Sequence, residues 1–207
     1  SAPGVERSVI CVGASKLDGE KQRIASLSAR GPSSPYSLLK PEIVAPGELI
    51  QSAKMGTGSD GAWFNGSSLA TPHVAGAAAL ALQAHPNWNA TEIKALLLNT
   101  ANPIQHKNGS IYPESLAGAG FLDVAQAIET DVTIMAEESD GLTTLSLGAL
   151  ALSKPIIITK KIRITNHGNT PFAYEMEVEE TVQETGFSVV LPLDRLVQVQ
   201  ANSHKLI

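Results

Sequence analysis

Cysteine is almost absent from this sequence. Cys11 is the single one among 207 residues, so no disulfide can close within the chain, and cysteine usage does not fix a redox compartment. Cys11 lies in the apolar run Val9-Ile10-Cys11-Val12, where a thiol reads as a small buried hydrophobe rather than a nucleophile. No apolar run approaches the roughly 20 residues that span a bilayer. The residues from Ser1 onward lack the basic start and apolar core of a signal peptide. Lys and Arg are scattered and the formal charge is −5, which leaves no basic face for nucleic acid. Metal-site patterns are missing too, with no His-Glu-x-x-His, a lone Cys and no EF-hand spacing of acids. No cofactor motif is identifiable.

Against these absences one stretch stands out, Asn65-Gly66-Ser67-Ser68-Leu69-Ala70-Thr71-Pro72-His73-Val74-Ala75-Gly76. A small hydroxyl residue follows a glycine, and a helix-forming run to Ala84 comes next. That order places Ser68 in the first turn of a helix, where backbone N–H groups lack intrahelical acceptors and the dipole is positive. Pro72 falls in or near the same first turn, where a missing N–H does least harm. Acyl transfer needs a serine oxygen that can reach a carbonyl carbon and donors that hold the oxyanion. The bland alternative is that Ser67 or Ser68 only caps the helix.

Two other serine or glycine signatures fail. Gly56-Thr57-Gly58-Ser59-Asp60-Gly61 spells a dinucleotide fingerprint, but Ala62-Trp63-Phe64 opens no helix and no acid lies between Asp60 and Glu92, so it reads as a surface loop. A Gly-x-Ser-x-Gly nucleophile elbow does not occur.

The composition changes near residue 130. Before it, short apolar strands alternate with helices. Ser8 to Ala14, Arg23 to Ser28, Glu42 to Ala45 and Leu49 to Ala53 read as strands. After the serine helix comes a second, with Asn89 as N-cap, Glu92 as its capping-box partner and Ile93, Leu96 and Leu97 on one face. A short third helix covers Leu122 to Ile128. From Asp131 the pattern alternates with period two. Ile156 to Ile164, Phe172 to Val178, Phe187 to Leu193 and Leu196 to Gln200 read as strands, Asn166 to Pro171 as a turn, and another strand starts at Lys205.

The serine stretch resembles the active-site motif of the subtilisin-like serine proteases (subtilases), Gly-Thr-Ser-Met-Ala-x-Pro, with Ser67 for Thr and Leu69 for Met. Val9 to Ala14 is similar to the family's Val-Gly-Ala strand. Ile24 to Pro32 is similar to its Ser-x-x-Gly-Pro segment, and Lys40 to Gly47 to its Lys-Pro-Asp-Ile-x-Ala-Pro-Gly element. His85-Pro86, Ile93-Lys94 and Gly118 to Asp123 continue the likeness. It covers residues 1 to about 130 and implies the second half of a subtilase catalytic domain, an α/β fold with a mostly parallel sheet. More weakly, residues 131–207 resemble part of a fibronectin-III-like β-sandwich, an all-β antiparallel domain, here truncated.

The resemblance implies a secreted or cell-surface serine endopeptidase acting on protein or peptide substrates, with Ser68 as nucleophile and its backbone N–H as an oxyanion donor. The family's Asp, His and oxyanion Asn precede the Val-Gly-Ala strand. They are therefore expected in an N-terminal part of the same protease, upstream of this chain. None of His73, His85, His106, His167 and His204 has the family's His-Gly-x-His context. His73 is expected to be a satisfied, buried helix residue, and Asn65 belongs to the loop before the nucleophile. The family often binds structural calcium, through ligands mostly outside this segment. Residues 1–130 are expected to expose a large apolar surface around Val9–Val12 and the serine helix, and the chain alone to be inactive. The alternative is a degenerate, non-catalytic subtilase module that binds a partner or serves as structure.

Overall fold

The computed structural model describes residues 4–19, 21–34, 37–137, 143–148, 150, 152–178, 188–192 and 194–207. In the first part, β1 (Val12–Asp18) lies between β2 (Lys21–Ile24) and β3 (Ile43–Pro46). β2 pairs with β1 antiparallel as a hairpin, while β3 pairs with it parallel, Val12 opposite Ile43 and Ser15 opposite Pro46. The parallel character extends one step further through an isolated bridge between Val44 and Phe121. β4 (Ile50–Ala53) and β5 (Gly61–Phe64) form a separate antiparallel hairpin. Thus the described sheet is only partly parallel, because the β1–β2 hairpin turns back at once instead of crossing over.

The expected strand from Ser8 begins instead at Val12. The backbone before it has other partners. Lys40 Nζ donates to the carbonyls of Glu6 (2.9 Å) and Val9 (3.1 Å), and Lys94 Nζ to those of Arg7 (2.7 Å) and Val9 (3.2 Å). The two ammonium groups thus give the carbonyls of residues 6, 7 and 9 the partners that a ladder would otherwise supply. The strand expected over Arg23–Ser28 likewise ends at Ile24, where a turn begins.

Helix α1 (Ser67–Ala84) lies across β1 and β3, and α2 (Ala90–Asn99) packs beside it. Ala14, Ile43, Ala45, Val74, Leu96 and Leu97 share the main core. Burying one such Leu is worth roughly 2 kcal/mol. Asn89 caps α2 as its sequence demands: its Oδ1 accepts from Thr91 N (2.9 Å) and Glu92 N (3.0 Å), and Glu92 Oε2 accepts from Asn89 N (2.8 Å). Asn89→Ala should therefore lower stability by about 1 kcal/mol, visible as a fall of a few degrees in Tm without loss of cooperativity. Helices α3 (Glu114–Ala117) and α4 (Val124–Glu129) complete this part. The sequence reading missed α3, and it starts α4 two residues early and ends it one residue early.

The second part is antiparallel. β6 (Val132–Ala136) and β10 (Ser203–Leu206) flank β7 (Ile162–Asn166), and β8 (Phe172–Glu175) pairs with β9 (Leu196–Val199). Ile164, Val197 and Val199 form a small shared core, with Phe172 and Met176 against it. Residues 156–161 are exposed and irregular where a strand was expected. Ile157 is 97% exposed, so apolar character there found no facing layer. Residues 188–192 also form no strand, and the rest of the expected 187–193 strand lies outside the described residues.

Candidate active-site serine

A short relay of backbone contacts connects the sheet to the serine. Gly47 N donates to Ser15 O in β1 (2.9 Å), and Gly66 N donates to Gly47 O (2.7 Å). A Cβ on Gly47 would sit 2.7 Å from the Ala14 Cβ and 2.9 Å from Gly66 O, so only glycine permits this approach. Gly66 is the N-cap residue of α1 at φ 159°, ψ 149°, a region that is essentially glycine's alone. Asn65 Oδ1 accepts from Leu49 N (2.7 Å), which ties the serine loop to the start of β4. Asn65 is thus committed to the fold.

Ser68 is the second residue of α1 and is exposed. No side chain caps this helix. Its first-turn N–H groups, that of Ser68 among them, point out of the helix end with the positive end of the dipole behind them. The Leu69 N–H turns back to Gly66 O (3.0 Å). Pro72 is the sixth helical residue, one turn deeper than the sequence reading placed it. There it removes the N–H that would bond Ser68 O.

His73 is exposed, not buried as expected, and its Nδ1 lies 2.7 Å from Leu69 O. The reason is the packing of α1: only Ala70, Val74, Ala77 and Ala81 are buried, and His73 is off that stripe. Among the described residues, no histidine or carboxylate is hydrogen-bonded to Ser68. Leu80 and Leu82 are 50% and 47% exposed. A helix that is apolar on all sides ordinarily lies in a core, yet α1 has a single covered side here. Around Val9–Val12 the surface is less open than expected, with Val9 36% exposed and Ile10, Cys11 and Val12 half-buried. Burial pushes the Cys11 thiol up, partly opposed by Lys40, so the thiolate is disfavoured and the residue inert.

A cavity of about 470 Å³ lies away from the serine, between the β1–β2 hairpin and the loop carrying His106 and Tyr112. There Lys107 sits 3.0 Å from Asp18 and, by hydrogen bonding, holds its carboxyl below the usual range. Among the described residues no three His, Cys, Asp or Glu side chains come together to hold a metal.

The sequence reading missed the buried ion group Lys40–Glu42–Lys94. Its signal was present: Lys94 is a charge in the middle of the apolar face of α2.

Comparison with known proteins agrees with this arrangement. The profile of the Subtilase family matches residues 1–122, and the chain belongs to that family. It is 38% identical over 125 residues to the minor extracellular protease Vpr of Bacillus subtilis (strain 168), covering 56% of this chain and 15% of Vpr. It is 42% identical over 122 residues to the subtilisin-like protease SBT2.6 of Arabidopsis thaliana, covering 52% of this chain and 15% of that protein. The chain thus corresponds to about 15% of the length of these relatives. Among solved structures, the CspB protease of Clostridium perfringens aligns with a TM-score of 0.52 at 29% identity, over 62% of this chain and 28% of that one. Fervidolysin from Fervidobacterium pennivorans, a keratinolytic enzyme related to subtilisin, aligns with a TM-score of 0.51 at 24% identity, over 65% of this chain and 22% of that one, a likeness of fold.

Proposed function

We propose that this chain is the serine-bearing part of a secreted serine endopeptidase. The observation that carries the reading is Ser68, exposed at an uncapped helix start inside a subtilase motif. Ser68 Oγ attacks the peptide carbonyl carbon, and its proton passes to a His that an Asp orients. Both residues, and the oxyanion Asn, come from a preceding segment of the same protease. The Ser68 N–H donates to the oxyanion, the amine leaves with the proton, and water releases the acyl group from Ser68. The open side of α1 is the face on which the preceding segment docks.

Residues 131–207 belong to a fibronectin-III-like unit without catalytic groups. Its antiparallel sheets and small shared core support this. Secretion is supported by the likeness to an extracellular protease. The alternative, a non-catalytic module, rests on the absence of any described base beside Ser68.

A fluorophosphonate separates the two readings. In the full-length protein it should label Ser68, as read by peptide mass mapping. In the 207-residue chain labelling should be slower by orders of magnitude, since the hydroxyl lacks a base. A full-length protein that resists the label, or carries it elsewhere, would sink the enzyme reading.

A further inference from the structure

Where the two parts of the chain meet, three rings stack. His85 follows the last residue of α1, and its ring lies 4.1 Å from that of Trp88, with the planes 19° apart. His167, in the turn after β7, lies 4.1 Å from the same indole, tilted by 34°. One tryptophan is therefore held between an imidazole at the end of the serine helix and an imidazole from the antiparallel part.

The surroundings of this stack are dry on one side and acidic at its rim. His85 Nε2 is buried with no hydrogen-bond partner, and its Nδ1 is 3.9 Å from Asp131 Oδ1. His167 Nε2 is 3.2 Å from Thr133 Oγ1 in β6 and 4.0 Å from Glu92 Oε1 in α2. The titratable groups facing His167 are thus Glu92 from α2, Asp131 ahead of β6 and His85 beyond the indole. Around the stack, His167 N donates to Asp131 O (2.8 Å) and Ile134 N donates to Asn99 Oδ1 (2.7 Å). The latter bond joins β6 directly to the end of α2.

We propose that the His85–Trp88–His167 stack is an acid-sensitive clasp that fastens the antiparallel part to the end of the serine helix. Neutral imidazole stacks on indole at the cost of ordinary burial. A proton on His167 must enter a half-dry site with a second imidazole across the indole. The carboxylates of Glu92 and Asp131, at 3.9–4.0 Å from the imidazoles, and the Trp88 face, which attracts a cation stacked on it, oppose that cost. Burial accordingly holds His167 below the ordinary histidine range, with Glu92 and Asp131 opposing and His85 adding to the shift. A histidine that binds its proton less readily when clasped favours the clasped state above about pH 6.5, its free pKa. The advantage fades as pH falls below that value, because the undocked state takes up more protons. This reading is independent of the chemistry at Ser68.

The test is hydrogen exchange of the full-length protein between pH 7.5 and 5.0, corrected for intrinsic rates, followed at the amides of His167 and Ile134. Wild type should open more readily at pH 5.0 than at pH 7.5, by at most about thirtyfold, the bound that a free pKa of about 6.5 sets. His167→Phe keeps a flat ring on Trp88 without a titrating nitrogen, and should lose that pH response while keeping protection at pH 5.0. His167→Gln separates the ring from the proton: it should be less protected at both pH values and equally flat. A wild type with unchanged protection across the range, or a His167→Phe variant with the full wild-type response, overturns the proposal.

Discussion

Ser68→Ala in the full-length protein should abolish peptide hydrolysis while leaving the fold intact. Subtilisin itself is the reference case for a triad of this kind, and loss of its nucleophile costs about 10⁶ in kcat. That corresponds to about 8 kcal/mol of transition-state stabilisation. The remaining rate is a residual acceleration of about 10³–10⁴ over water, from oxyanion donors and binding. Substrate affinity should hardly change, because Ser68 is exposed and Oγ acts in the transition state. The same exposure predicts an unchanged Tm, which removes misfolding as an explanation. Activity within tenfold of wild type would mean that the nucleophile lies elsewhere.

The second large effect is expected far from the serine, at Glu42. Glu42 is 2% exposed as a residue, and its carboxylate lies 2.8 Å from both Lys40 Nζ and Lys94 Nζ, which are 4% and 3% exposed as residues. It also accepts from Cys11 N (3.0 Å). One carboxylate thus balances two buried ammonium groups, and backbone carbonyls of residues 6–9 take up the remaining protons. Removing the carboxylate leaves two like charges in a dry site. Glu42→Gln should cost about 3–5 kcal/mol, measured by chemical denaturation.

The pH dependence of that loss has a definite sign. Burial already holds the Lys94 ammonium below the ordinary lysine range, with Glu42 pulling it back up. A lysine whose folded pKa lies below its unfolded one gives up its proton more readily when folded. Its burden on stability is therefore full at neutral pH and lifts as pH rises toward 10.4. Without Glu42 the burden grows, so Glu42→Gln should recover stability at pH 9.5 more than wild type does. Adding Lys94→Met should restore part of the loss at pH 7. A Glu42→Gln protein as stable as wild type at neutral pH would show that water reaches the lysines.

Features written locally were the legible ones. The capping box at Asn89 and Glu92 is a four-residue device, and it closes as read. Gly66-Ser67-Ser68 opens a helix because glycine permits the entry and small residues follow. The start of β1 was misplaced because its outcome rests on contacts far apart in sequence. Two lysines, 31 and 85 residues away, take the Val9 carbonyl, and no local pattern announces that. His73 was misjudged for a related reason. Its depth in the helix past the serine suggested an inward side chain, whereas the buried stripe of α1 is set by what packs beneath it, Ala70, Val74, Ala77 and Ala81, and residue 73 falls off that stripe. In the antiparallel part, β9 was clear from its alternation. Ile156-Ile157-Ile158 misled because β-branched residues favour strands only where a neighbouring layer meets them.

From residue 75 to residue 79 the serine helix reads Ala-Gly-Ala-Ala-Ala, and a Cβ on Gly76 would meet nothing within 4 Å. Space is available there that the sequence leaves unfilled. Large side chains would keep a neighbour at arm's length, whereas Ala and Gly let backbones come together. The exposed members of the run, Ala75, Gly76 and Ala79, therefore set a separation: a helix lying on that side would sit with its axis near the short end of the usual range, about 8 Å from that of α1. Ser68 would then be positioned to within the tolerance of a backbone-to-backbone contact, with no long, flexible side chains in between to blur it.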